Sequence, residues 1–300
     1  MRVTELNGPP SLGPLYARAA AGAALATSGI AGGGGHELPA RELVRCGVPV
    51  ERDHLADYAL ACGFGIGGAL PLTYPHVLAF PLQVVLMADR SFPLPLPGLV
   101  HLANRITAHR AITPAETLDL RVHADRFVAH PKGAQVDLVA QVSAGGETVW
   151  EGRSTYLSRG ADAPADAVSP DEGTGTDIAE PPTPTGTGAA TWKVAGDTGR
   201  RYAAASGDVN PIHLHPLTAR AMGFPRAIAH GMWTAARAVA ALQGRIPDAA
   251  TYDVVFRKPL LLPSTVELVT ERSGTDWGLA VRSAKKPEKV HLAGRVTSAG

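Results

Sequence analysis

Three blocks of this chain occur twice in the same order, and that repetition constrains its fold more than any other feature. Tyr58-Ala59-Leu60-Ala61-Cys62-Gly63-Phe64 matches Tyr202-Ala203-Ala204-Ala205-Ser206-Gly207-Asp208. Tyr74-Pro75-His76-Val77-Leu78-Ala79-Phe80-Pro81-Leu82 lines up with Phe224-Pro225-Arg226-Ala227-Ile228-Ala229-His230-Gly231-Met232. Thr117-Leu118-Asp119-Leu120 then echoes Thr265-Val266-Glu267-Leu268. Blocks repeated in register decide architecture before any single motif does, and these imply two copies of one folding unit.

The copies are separated by residues 160–190, rich in Asp, Pro, Gly and Thr and poor in large apolar side chains. Such a segment cannot bury enough surface to offset its ordering entropy, so it reads as a flexible linker. The expected organisation is a lead-in over 1–49, a first copy over 50–159, the linker, and a second copy over 191–300. The Gly run Gly32–Gly35 marks a second flexible point inside the lead-in. Neither the linker nor that Gly run is expected to carry chemistry.

Each copy offers one long Ala-rich apolar segment, at 229–242 in the second, together with runs that alternate apolar and polar residues. These runs fall at 100–106, 117–124, 134–142 and 148–157, and at 252–256, 265–271, 277–283 and 289–297. Period-two alternation rich in Val, Thr and Leu is the pattern of half-buried antiparallel strands. One helix with several such strands per copy gives an α+β fold. The small side chains of Ala235, Ala236, Ala240 and Ala241 would let a sheet wrap closely around that helix.

Composition narrows the function. With Lys+Arg 28 against Asp+Glu 27, the net charge of +1 gives no electrostatic basis for binding nucleic acid or an anionic membrane surface. The two cysteines, Cys46 and Cys62, make neither a disulfide scaffold nor a zinc motif. Residues 19–31 are too weakly hydrophobic, and lack the basic head, for a secretory signal. No run reaches the roughly 18 apolar residues that span a bilayer. A cytoplasmic protein is expected.

Chemistry concentrates in the second copy, at Ser206-Gly207-Asp208-Val209-Asn210-Pro211-Ile212-His213 and, further on, Ala229-His230-Gly231-Met232. Asn210 suits an N-cap and Pro211 the first helical position, so a helix is expected from Pro211 to about Met222, ended by Gly223. His213 would then sit in the first turn, where the helix dipole favours neutral imidazole. Asp208 enters the same turn, and a carboxylate and a basic imidazole sharing one water suit reversible water addition. Gly231 would open the Ala-rich helix, where backbone N–H groups without internal partners can hold a developing oxyanion. Asn210, Gly231, His230 and Ser206 form the expected substrate-binding set, with His230 in a capping or supporting role and Ser206 bonding the turn backbone. A metal cluster of His213, His215 and His230 is not expected, because residues i and i+2 on a helix face apart.

These two segments together resemble the hydratase-2 motif of the MaoC-like (R)-specific hydratase/dehydratase family. The resemblance implies a double hotdog, each unit a long helix wrapped by an antiparallel sheet. It implies interconversion of (R)-3-hydroxyacyl and trans-2-enoyl thioesters of CoA or acyl-carrier protein, with no metal or redox cofactor. It further implies that Asp208 and His213 are the catalytic pair, that Asn210 orients them, and that the Gly231 N–H holds the thioester oxygen. The first half resembles the catalytically silent unit of double-hotdog dehydratases: Phe64 stands against Asp208, Phe80 against His230, and Asn-Pro-Ile-His has no counterpart. A hotdog thioesterase and a non-catalytic acyl-thioester-binding protein are the competing readings. The Asp-to-His spacing favours the lyase over the first, and retention of both residues argues against the second. Two fused units already imitate a dimer, which leaves monomer and homodimer both open.

Overall fold

The computed structural model describes residues 1–17, 37–96, 98–163, 178 and 180–299. The stretch 19–31, the Gly32–Gly35 run and most of the linker lie outside these residues. The strands are β1 (Arg2–Glu5), β2 (Arg41–Pro49), β3 (Val100–Ala108), β4 (Thr117–His130), β5 (Gly133–Ala144) and β6 (Glu147–Arg159) in the first half. The second half contributes β7 (Ala190–Val194), β8 (Ala250–Phe256), β9 (Ser264–Ser273), β10 (Asp276–Ser283) and β11 (Val290–Ser298).

All of them form one sheet in the order β1-β2-β4-β5-β6-β3-β8-β11-β10-β9-β7. Outward from the β3–β8 seam the strands run β3, β6, β5, β4, β2 on one side and β8, β11, β10, β9, β7 on the other. The two series are the same topology, so the chain does contain two copies of one unit. At the seam, Ala103–Ala108 pair antiparallel with Val255–Ala250. Arg105 spans it with two hydrogen bonds to the Asp253 carboxylate, at 2.6 and 3.2 Å.

The strand β2 occupies in the first unit the place that β7 occupies in the second. The first unit therefore begins within the stretch expected as a lead-in. A register shift between Arg45 and Val48 breaks the strict alternation there and hides the strand from a period-two reading. Beyond it, β1 adds in parallel at the sheet edge.

The helices are α1 (residues 12–17), α2 (Arg52–Cys62), α3 (Tyr74–Met87), α4 (Thr198–Ser206), α5 (Pro211–Leu214), α6 (Pro216–Ala221) and α7 (Gly231–Ala240). The first repeated block forms α2 and α4, which end alike: Gly63 and Gly207 are left-handed, at φ +76° and +72°. Their N–H groups close on Ala59 and Ala203, a backbone conformation that glycine adopts without steric penalty. In the second block the alignment sets a helix against an extended strip. Residues 74–80 are already in α3, whereas 224–230 precede α7. The backbone of that strip pairs elsewhere, Ala229 N–H to Leu260 and Leu262 N–H to Ala227, so it cannot close helical turns.

The central helices α3 and α7 lie against the sheet, α3 on β4 and β5 and α7 on β10 and β11. Ala235 and Ala236 are fully buried, and Tyr252 donates to the Ala235 carbonyl at 3.0 Å. Ala241, expected on the same packed face, is instead the exposed C-cap residue. Contacts between the units tie α2 to the second half. His54 Nε2–H donates to the Ala205 carbonyl at 2.7 Å and Trp233 Nε1–H to the Ala61 carbonyl at 2.9 Å. No helix among the described residues is long and apolar enough to cross a membrane.

Candidate active site

The chain leaving α4 turns at Gly207 and delivers Asp208, Asn210 and α5 to one end of a cavity of about 410 Å³. The turn is held by its own side chains. Ser206 Oγ accepts from Asp208 N–H at 3.2 Å, Asp208 Oδ1 from Asn210 N–H at 3.2 Å, and Asn210 Oδ1 from Ile212 N–H at 3.4 Å. Asn210 is thus the N-cap of α5, as its residue type predicts.

The helix expected from Pro211 to Met222 is broken. His215 is extended (φ −145°, ψ 142°), and a second helix, α6, starts at Pro216. Proline disfavours the helical conformation of the residue before it and removes a helical N–H, so Pro216 ends α5 after one turn. His215 caps α6, its Nδ1 accepting from Leu217 N–H at 3.2 Å, and is exposed. Four residues of helix carry little dipole, so the neutral state of His213 has another cause. Burial lowers its pKa to about 3, with neighbouring His230 adding to that effect and Asp208 opposing it.

The structure brings Asp208, His213 and His230 together. The imidazoles of His213 and His230 stack with centroids 3.7 Å apart, and His230 Nε2 lies 3.8 Å from Asp208 Oδ2. Tautomers follow from the partners. His213 Nδ1 faces the Ile228 carbonyl at 2.9 Å and must donate, which leaves the Nε2 lone pair as its base. His230 Nε2 faces the Asp208 carbonyl at 2.9 Å and donates in turn. Burial raises the Asp208 carboxyl pKa, but His230, His213, the Asn210 N–H and the Tyr16 hydroxyl together bring it below the ordinary carboxylate value. At neutral pH the cluster is a carboxylate beside neutral imidazoles, with both histidines nearly fully buried.

Next to this cluster Gly231 begins α7, and Gly231 and Met232 line the same cavity. The first N–H groups of this helix have no partner within it. A side chain at position 231 would press on Phe256, whose ring lies 3.1 Å from where its Cβ would stand.

Comparison with known proteins identifies the family. Residues 180–292 match the MaoC like domain. The chain is 36% identical over 250 residues to 3-hydroxyacyl-thioester dehydratase X of Mycobacterium tuberculosis, covering 83% of this chain and 87% of that protein. The chain belongs to the MaoC-like family. The crystal structure of HtdX of Mycobacterium tuberculosis, 35% identical, superposes with a TM-score of 0.74 over 86% of this chain and 100% of that one. A conserved Mycobacterium tuberculosis protein described as a double hotdog has the same fold at 13% identity, with a TM-score of 0.51 over 85% of this chain and 95% of that one. The α+β expectation of a double hotdog therefore holds.

Within this MaoC-like frame every residue expected at the site, Ser206, Asp208, Asn210, His213, His230 and Gly231, lines the one cavity. His215 does not. Asp208 takes its place in a group of potential metal ligands, since one ligand atom from each of Asp208, His213 and His230 lies within 4.8 Å of the others. His215 stays out of the group because the chain breaks there before α6, not because of spacing along one helix, and the expectation overlooked a carboxylate brought in by the turn.

Sequence reasoning missed Tyr16. Its hydroxyl donates to Asp208 Oδ1 at 3.0 Å from α1, inside the lead-in to which the sequence assigned no role. Nothing local marks that tyrosine; only the fold carries it across 192 positions to the turn. A donor to a carboxylate stabilises the charged form, so its loss raises the Asp208 pKa. Tyr16→Phe is expected to shift the acid limb of the kcat/KM profile to higher pH and lower turnover by about tenfold, the worth of about 1.4 kcal/mol in a barrier. A profile recorded between acid and neutral pH tests this. An unmoved limb would mean that Tyr16 only packs against the site.

Proposed function

We propose that this chain reversibly dehydrates (R)-3-hydroxyacyl thioesters to trans-2-enoyl thioesters, with one active site per chain. The observation that carries this reading is the convergence of the Asp208 carboxylate, the basic Nε2 of His213 and the start of α7 at one end of a single cavity. In dehydration the C2–H and C3–O bonds break, the C2=C3 bond forms, and water leaves. Asp208 and His213 take the proton from C2 and return one to the departing hydroxyl. The first N–H groups of α7, beginning at Gly231, hold the thioester oxygen as negative charge develops on it. Asn210 and Ser206 hold the turn that aims Asp208, and His230 fixes it by donating to its backbone carbonyl. Metal is not needed for this proton transfer.

The first unit supplies no second pair. Phe64 stands at the position aligned with Asp208, and the residues aligned with His230 and Gly231, Phe80 and Pro81, lie inside α3 rather than at its start. Its contribution is wall: Val77, Phe80, Met87, Leu96 and Leu99 line the cavity and provide an apolar channel for the acyl chain.

The test is incubation of the purified protein with (R)- and (S)-3-hydroxyacyl-CoA. Enoyl absorbance should appear from the R substrate alone. Release of free CoA thiol instead would make the protein a thioesterase, and binding without reaction would make it an acyl-thioester carrier.

A phosphorylated carrier arm fits the cavity mouth, where exposed Lys132, Arg159 and Lys258 gather. Exposed charges act in high dielectric and are screened by salt. Replacing all three with Gln is expected to raise KM for acyl-CoA severalfold at low salt, with kcat little changed. Titration of rate against ionic strength checks it, since the difference between wild type and variant should close as salt rises.

A further inference from the structure

The acyl channel of the first unit is not purely apolar. His76, in the first turn of α3, is 3% exposed, and its Nδ1 is buried without a hydrogen-bond partner. His101, on β3, has a buried Nε2 in the same condition. The two rings lie 6.4 Å apart at 23°, and His101 stacks on Tyr156 at 4.5 Å. His76, His101 and Tyr156 all line the cavity that holds Asp208 and His213. The charge of Asp208 is felt at both rings, which places them on the catalytic side of the channel.

A channel for a plain alkyl chain has no use for these groups. Buried polar atoms are nearly always paired, and each one left unpaired beside hydrocarbon carries a desolvation penalty. Burial holds His76 down to about 4 and His101 down to about 3, so both rings are neutral, and neutral imidazole has one donor and one acceptor nitrogen. No Lys or Arg accompanies them in the channel interior among the described residues; the cations of this cavity sit at its exposed rim. That combination suits an uncharged oxygen better than an anion.

We propose that His76 and His101 form a polar subsite for an uncharged oxygen function, a ketone or hydroxyl, on the acyl chain beyond the reacting carbons. This rests on the dehydratase reading of the site and adds a substrate class to it: oxygenated acyl thioesters rather than simple fatty-acyl ones. The apolar side chains Met87, Leu96 and Leu99 receive the rest of the chain. A site built to hydrogen-bond a substrate oxygen rejects the analogue that lacks it, because its own polar groups are then left unpaired.

The experiment measures binding first, by calorimetry, using octanoyl-CoA and matched analogues bearing a ketone at successive carbons beyond C3. None of these can undergo dehydration, so the result does not depend on chemistry at Asp208. One keto isomer should bind wild type at least tenfold more tightly than octanoyl-CoA. In His76→Phe and His101→Phe that preference should fall to about onefold, while His76→Gln, which keeps a donor and an acceptor, retains part of it. Thermal melts confirm that the variants fold. The same pairs, as (R)-3-hydroxy thioesters, then give the ratio of kcat/KM. Equal binding of all analogues by wild type, as expected of a pocket that merely holds water, would overturn the subsite. So would a keto preference that survives both Phe variants. Dehydration of the plain substrates alongside equal binding would leave the reaction standing and remove only the subsite; selective binding without dehydration would do the reverse.

Discussion

Turnover of an (R)-3-hydroxyacyl thioester is expected to fall by about 10²–10⁴-fold in His213→Ala and in Asp208→Asn, the range that a positioned general acid or base contributes. The two losses should not add. Both groups handle the same proton, and residues that act as one unit give a double variant little worse than either single one. Substrate binding should change far less, since cavity walls and rim are untouched. Circular dichroism must stay native-like for the comparison to count. Folding is expected to survive, because both residues border the cavity and neither belongs to the apolar core. Near wild-type rates in both single variants would remove the pair from the mechanism.

A second large effect should come from a residue with no chemistry of its own. Gly199, in α4, packs against the backbone of His213. A Cβ built there would overlap the His213 carbonyl group, with its carbonyl carbon at 3.0 Å. That neighbour is backbone and cannot swing aside, so a side chain at 199 must push α5 away from α4. The displaced element carries His213, and a misplacement of about 1 Å at a reacting group can cost about 10²-fold in rate. Gly199→Val is therefore expected to lower kcat by about a hundredfold, and overpacking of this kind also costs about 1–3 kcal/mol of stability. Gly199→Ala should show a smaller version of both. If kcat holds while the melting temperature drops, α5 has relaxed without moving the imidazole, and the packing account of His213 placement fails.

Much of the site was legible because it is local. Asp208, Asn210 and His213 lie within one turn, and capping preferences alone place Asn210 before Pro211. Repetition of the Tyr-to-Gly block marked two equivalent stretches, which fold as α2 and α4 and end on the left-handed Gly63 and Gly207. The broken α5–α6 helix was legible too, in Pro216, but the neat Asn-Pro start and Gly223 stop drew attention from it. The strand at 41–49 was obscured because its irregularity disturbs the very alternation by which strands are read.

Other features were not written locally at all. Tyr16 reaches Asp208 only because α1 is laid across the turn from the far end of the sequence. His76 and His101 become one polar pair only when α3 and β3 close around the same cavity. The neutrality of His213 also belongs to this level: a one-turn helix has too small a dipole, and burial against His230 does what the dipole was expected to do. By itself the sequence determined the two-unit frame, the turn and the residue types of the proposed pair, since these depend on periodicity, capping and spacing along the chain. Tertiary structure alone decided which distant side chains enter the cavity and how each is protonated, because desolvation and hydrogen-bond partners exist only once the sheet has closed around them.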